Sequence, residues 1–195
     1  AVHSLPLDYP RPAQKQHQAS MVRGHLPVTI SERLTQVAQD NQMTLFMLLH
    51  GAFALLLSRH SHSHDIVIGT PVANRLQSEL EPLIGFFINT LVLRTQTDFT
   101  DASEYFAHVK QVNLDAQAHQ DIPFEQLVEY CQVPRSTQHN PLFQISFTMN
   151  TNETSELSIP GLSFTPFGES VPVAKYDLEL GAQVSDEGLF LSWMF

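Results

Sequence analysis

Cysteine is nearly absent from this chain, with Cys131 the single one in 195 residues. An internal disulfide framework is thereby excluded, as is a cysteine-rich zinc site, and the usage suits a reducing compartment such as the cytoplasm. Glycine is sparse as well. The 8 glycines never cluster, which excludes a glycine loop that cradles phosphate. Long apolar runs are missing too: the longest, Leu45 to Leu57, is interrupted by His50 and Gly51. It is shorter than the roughly 20 residues a membrane-spanning helix needs. The opening segment from Ala1 to Pro12 contains Pro6, Pro10 and Pro12 and no basic stretch followed by a greasy one, so no secretory signal is visible. An initiating methionine is also lacking, and a piece cut from a longer polypeptide is expected.

Positive charge is scarce, with 10 Lys and Arg against 20 Asp and Glu. The imbalance is uneven: residues 1–75 carry six Lys/Arg and four Asp/Glu, whereas residues 76–195 carry four and sixteen, a difference of -12. Such a field repels a phosphate backbone, so nucleic acid is an unsuitable partner. What remains is an ordinary folded composition, 43% hydrophobic, sufficient for one domain or one large lobe.

The hydrophobic pattern predicts an α/β organisation. The proline-rich residues 1–17 form an extended arm. A strand follows from Ala19 to Leu26. Thr29 and Glu32 have capping-box spacing before a helix that runs to Asn41, and Thr44 caps a second helix, Leu45 to His60, apolar nearly all round and hence covered. Ile66 to Gly69 reads as a buried strand, and Leu83 to Leu93 as another in which Asn89 and Thr90 are polar and need partners. Thr100 or Asp101 caps a long helix, and Pro123 starts a short one to Gln132. The last third is strand-rich, alternating from Phe143 to Met149 and from Tyr176 to Val184. A turn at Ser185 to Gly188 returns Leu189, Leu191, Trp193 and Phe195. The terminal apolar Phe195 is expected to be left uncovered, as if the sequence were cut there also.

The residues alone assemble no complete catalytic site. His60, His62 and His64 would reach one metal ion on an extended segment, but they fall in a polar turn and are read as surface. No Gly-x-Ser-x-Gly turn occurs, and Cys131 sits in a helix without a neighbouring histidine.

Three longer motifs change this. The segment Ile84-Gly85-Phe86-Phe87-Ile88-Asn89-Thr90-Leu91 through Arg94, then His119-Gln120-Asp121-Ile122-Pro123-Phe124-Glu125-Gln126-Leu127-Val128-Glu129, then Asn140-Pro141-Leu142-Phe143-Gln144 resemble consecutive core motifs of nonribosomal peptide synthetase condensation domains. Gly69 to Arg75 and Ala174 to Leu178 are similar to further landmarks of that family, so the resemblance covers essentially the whole chain.

The resemblance implies a chloramphenicol-acetyltransferase-like lobe, a mixed β-sheet flanked by helices. The whole domain would be a V of two such lobes around a tunnel that admits two phosphopantetheine arms. This chain would be the C-terminal subdomain. The family's HHxxxDG motif belongs to the other lobe, and no adjacent histidine pair occurs here, so no catalytic residue and no inherent activity are expected of this chain alone. By the same resemblance, the whole domain joins a carrier-bound acyl or peptidyl thioester to the amine of a carrier-bound aminoacyl thioester. No cofactor binds directly, since the substrates ride on the phosphopantetheine of carrier domains. Expected partners are the N-terminal lobe, the upstream and downstream carrier domains and an adenylation domain. Carrier docking is expected on the less acidic residues 1–75.

For the tunnel the resemblance implies Arg75 and Asn140, with Asn89 and Thr90 as further polar groups. Each also has a structural reading: Arg75 paired with a local acid, Asn140 shaping the turn before Pro141, Asn89 and Thr90 satisfied by neighbouring backbone. Gly85, Arg94, His119, Asp121, Pro123 and Asp177 are read as structural motif positions. In this reading Asp121 accepts the free backbone donors of the next helix, His119 ends the preceding one and Arg94 forms a salt bridge. The motif wording favours plain condensation over epimerization or heterocyclization. A catalytically silent, condensation-like binding platform is the alternative, and an intact or degraded upstream HHxxxDG discriminates the two. A stand-alone acyltransferase of the same superfamily is a third reading.

Overall fold

A computed structural model describes residues 2–14, 18–75, 77–134, 136–150, 161–162 and 173–195. Part of the expected arm, residues 1 and 15–17, lies outside the described residues. The architecture is a six-stranded mixed sheet flanked by helices.

Strand β1 (Met21–Pro27) leads into helix α1 (Val28–Asp40), and α2 (Leu45–Ser61) precedes β2 (Asp65–Val72). Strand β3 (Asn89–Gln96) is followed by α3 (Ala102–Ala118) and the short α4 (Phe124–Tyr130). Strands β4 (Ile145–Asn150), β5 (Leu178–Ser185) and β6 (Gly188–Met194) complete the sheet, whose order is β1-β6-β5-β4-β2-β3. Strand β4 is parallel to both neighbours, β2 and β5, while the other pairings are antiparallel.

Two predicted caps are present. Thr44 accepts a hydrogen bond from the Met47 N–H, and the Asp101 side chain accepts from Ser103 and Glu104. The capping box at Thr29 is not formed, because α1 begins two residues earlier than that cap requires and its N-cap is Pro27, which has no side-chain acceptor. Strand pairing shortens another expectation: the strand predicted from Leu83 begins only at Asn89, where β2 supplies a partner at Val72. Before that point no strand among the described residues pairs with it, and Ile84 and Phe86 are 104% and 92% exposed. Strand β4, predicted as half-buried, is buried on both faces at its start: Ser146, and Gln144 just before the strand, are buried along with Ile145 and Phe147.

The main core lies between α2 and the sheet, where Phe53, Ala54 and Leu57 meet Ile66, Ile68, Phe147 and Leu180. A second cluster joins α1, α2 and α3 through Ala38, Met47, Tyr105 and Val109. There the Tyr105 hydroxyl donates to the Gly51 carbonyl at 2.7 Å, and burial pushes this phenol up to about 12. The β5–β6 turn closes on Gly188, whose φ of +127° lies in the region that favours glycine. A Cβ there would also lie 2.2 Å from the Leu26 carbonyl oxygen of β1. Phe195 is 54% exposed at the end of the sheet. Among the described residues no single helix is long and apolar enough to cross a membrane.

Candidate functional site

The three motifs, distant in sequence, meet around β2, β3 and the segment that leads into β4. Asn89 at the start of β3 is the first link. Its Nδ2 donates to the carbonyls of Gln120 and Ile122 at 2.7 and 2.8 Å, and its Oδ1 accepts from the Phe124 N–H at 3.2 Å. One side chain therefore supplies the acceptor at the start of α4. Asp121, the acceptor predicted for that place, is exposed, and α4 begins after Pro123 with no side-chain cap bond from its own N-cap. The neutral amide serves better because it donates and accepts at once, which a carboxylate does not. His119 ends α3 as expected, its Nδ1 lying 2.8 Å from the Asp115 carbonyl.

Phe143 is the second link. Its ring lies against Phe124 of α4 and Tyr176, with centroids 5.7 and 5.1 Å away. It also covers Gly69 so closely that a Cβ at that position would sit 2.1 Å from the ring. A side chain at residue 69 and this aromatic cluster are mutually exclusive. Gln144 extends the connection, donating to the Asn140 carbonyl at 3.0 Å and accepting from the His3 N–H at 3.1 Å. Asn140 donates to the Lys175 carbonyl at 3.0 Å.

Asp177 closes the set and holds the arm. Its Oδ2 accepts from Arg11 at 2.5 Å and from His3 Nε2 at 2.9 Å. The Leu5 N–H donates to His3 Nδ1, which leaves Nε2 to face the carboxylate. Burial pushes the Asp177 carboxyl up, but the hydrogen bonds and charges of His3 and Arg11 outweigh it and hold it at about 2. Arg11 and His3 carry no signal of this role in the sequence, because nothing local marks a partner 166 or 174 residues away.

Among the described residues Arg75 pairs with no acid. Its Nη1 donates to the carbonyls of Leu80 and Glu81, and the guanidinium lies 4.5 Å from the Phe87 ring centroid, folding the 75–87 segment on itself. Gly85 lies under the same ring, where a Cβ would approach to 2.9 Å. Thr90 is half-buried opposite Pro71. Arg94 forms the expected salt bridge, bidentate to Asp65 with both contacts at 2.8 Å. Its hydrogen bonds hold the Asp65 carboxyl below the usual range.

A cavity of about 740 Å³ opens between the helices and the carboxyl ends of β2 and β4. Phe46, Val72, Leu91, Leu93 and Met149 supply apolar wall. Thr70, Asn113, Gln117, Thr148 and Asn150 supply the polar part. Arg75, Asn89, Thr90 and Asn140 do not line it, although Ile88 and Leu91, next to Asn89 and Thr90, do. Behind the wall lies His50, fully buried, whose Nδ1 accepts from Asn113 Nδ2 at 3.1 Å. Burial lowers this imidazole to about 4. A histidine within the long apolar run is the sequence signal for this pair. The segment with His60, His62 and His64 caps α2 and enters β2, and His62 adopts a left-handed conformation at the helix end. Among the described residues no group of three or more His, Cys, Asp or Glu could hold a metal ion. Cys131 is exposed after α4.

The model of the family described as Condensation domain matches residues 1–195. Malpinin synthetase of Mortierella alpina is 41% identical over 186 residues, covering 95% of this chain and 2% of that protein. Tyrocidine synthase 3 of Brevibacillus parabrevis is 38% identical over 183 residues, covering 93% of this chain and 3% of that protein. A crystal structure of a holo four-domain nonribosomal peptide synthetase, bound to AMP and glycine, superposes with a TM-score of 0.89 at 29% identity. It covers 100% of this chain and 16% of that one. The chain thus spans only a few per cent of the length of these curated relatives. The motifs that converge on Asn89 and Phe143 are those of one family, and the chain belongs to it: the condensation domains of nonribosomal peptide synthetases.

Proposed function

We propose that this chain is the C-terminal subdomain of a condensation domain that forms an amide bond between two carrier-bound substrates. The amine nitrogen of the downstream aminoacyl thioester attacks the carbonyl carbon of the upstream acyl or peptidyl thioester. The C–N bond forms, the C–S bond breaks, the upstream phosphopantetheine leaves as its thiol, and the amine gives up a proton. Charge develops on the carbonyl oxygen and the nitrogen, so holding the two thioesters in attack geometry is the main task of a tunnel wall.

The observation that carries this reading is that the family model spans all 195 residues while the chain contains no adjacent histidine pair. The HHxxxDG histidine then belongs to an N-terminal lobe in the longer protein, and this lobe supplies the opposite wall. Asn89, Thr90, Arg75 and Asn140 act there as tunnel-side groups. Asn89, Arg75 and Asn140 spend hydrogen bonds on nearby backbone carbonyls, which supports a role in shaping the wall. The exposed Ile84 and Phe86 are an apolar edge suited to packing against the other lobe. Carrier domains, an adenylation domain and a cytoplasmic setting complete the reading, and phosphopantetheine enters only as the arm of the carriers.

The test supplies two loaded carrier domains to the isolated chain and, separately, to the longer protein that contains it. Amide product is expected from the longer protein alone. Product from the isolated chain would sink the split-site reading.

A further inference from the structure

The cavity at the carboxyl ends of β2 and β4 has a wall composition that states what it accepts. In open α/β sheets, ligands bind in the crevice beyond the carboxyl ends of parallel strands. Strands β2 and β4 are such a parallel pair, registered at Gly69 and Ser146. The volume of about 740 Å³ lies within the range of small-molecule sites. None of the described lining residues carries a charge: they are aliphatic, aromatic, thioether, hydroxyl and amide. A charged group entering it would lose its hydration without meeting a counter-ion.

Asn113 narrows the choice. Its Nδ2 donates to His50 Nδ1 at 3.1 Å and to the Val109 carbonyl at 2.8 Å, so both of its hydrogens are engaged. What this fixed amide has left to offer a guest is its Oδ1, an acceptor. Gln117, one turn further along α3 and exposed, adds an adaptable amide at the rim.

We propose that this cavity receives the uncharged side chain of one carrier-bound substrate and discriminates against charged ones, with Asn113 and Gln117 as its specificity-determining residues. The proposal rests on the condensation reading above. Because donor and acceptor thioesters share this side-chain chemistry, the experiment varies them separately.

The whole condensation domain, in its synthetase, is given carriers loaded with leucyl, glutaminyl, glutamyl or lysyl groups, first on the donor and then on the acceptor. Amide product is quantified by mass spectrometry. On one carrier only, leucyl and glutaminyl substrates are expected to exceed glutamyl and lysyl ones by about tenfold or more. That carrier identifies which substrate enters the cavity. Gln117→Glu is expected to shift the lysyl-to-glutaminyl ratio on that carrier by about tenfold towards lysyl. Ala73→Trp, at the exposed rim, is expected to favour small side chains, and it serves if Gln117→Glu does not fold. Ratios untouched by both variants on both carriers, with normal total product, overturn the cavity assignment. Absence of amide from every substrate pair with the unaltered domain overturns the condensation reading instead.

Discussion

At the residue scale, Arg75, Asn89, Asn140 and Gln144 donate to backbone carbonyls, whereas Asp177 forms an ion pair. It anchors the arm through Arg11 and His3 in a half-buried setting, where hydrogen bonds to a charged group contribute about 2 kcal/mol. Asp177→Asn is expected to lower stability by about that amount at neutral pH. The folded carboxyl is held at about 2, below its ordinary value. The ion pair's contribution is therefore complete above the unfolded carboxyl's value, near pH 4, and is lost as pH falls towards 2. Urea midpoints of the two proteins should differ at pH 6 and converge as pH falls below 3. Asn89→Ala breaks three hydrogen bonds at once and leaves the Phe124 N–H without its acceptor. A loss of about 2 to 3 kcal/mol is expected, read from thermal and denaturant unfolding. Asn89→Asp retains the acceptor but sets a carboxylate against two carbonyls, and it should not restore stability.

At the element scale, the segment before β3 behaves differently from the strand it joins. Asn89 to Gln96 are paired along β2, while Leu83, Ile84, Phe86 and Ile88 expose apolar side chains. Ile84→Asp and Phe86→Asp should change the stability of the chain by less than about 0.5 kcal/mol, as surface substitutions do. In the longer protein the same changes should depress amide formation strongly, because a carboxylate would be buried against the apolar contact these residues offer. If they also unfold the isolated chain, the segment packs locally and the lobe-contact role is lost. The element boundaries show where the sequence is legible. Alternating apolar residues mark β4, β5 and β6, and Thr44 and Asp101 mark helix starts, because those signals are local. The strand predicted from Leu83 is too long, since an apolar run contains no statement of which strand will pair with it. The Thr29 capping box fails similarly, because β1 hands directly into α1 at Pro27.

For the whole molecule, His50 links the core to pH. Asn113 donates to its Nδ1, so the ring hydrogen is on Nε2, which has no acceptor among the described residues. Burial holds the folded imidazole at about 4 against an ordinary 6.5. Below pH 6.5 the unfolded chain takes up a proton that the folded ring refuses, so stability falls with pH until about pH 4 and then levels. At about 1.4 kcal/mol per pH unit, the loss approaches 3 kcal/mol. Denaturant midpoints measured from pH 8 to pH 4 should show that decline in the wild type and a shallower one in His50→Gln. Equal slopes in the two proteins would remove His50 as the cause.

The sequence by itself determined the α/β class, nearly all the helices and strands, and the family, because periodicity, caps and long motifs are written in neighbouring residues. Tertiary structure decided which side chains do which work. Asn89 replaced Asp121 as the acceptor for α4, Arg75 turned to backbone carbonyls, Arg11 and His3 found Asp177, and a cavity with no charge among its described lining residues formed from α2, α3 and three strands. Each of those outcomes depends on pairing between segments far apart in the chain. Hydrogen-bond geometry and close packing select partners only after the sheet order has brought those segments together.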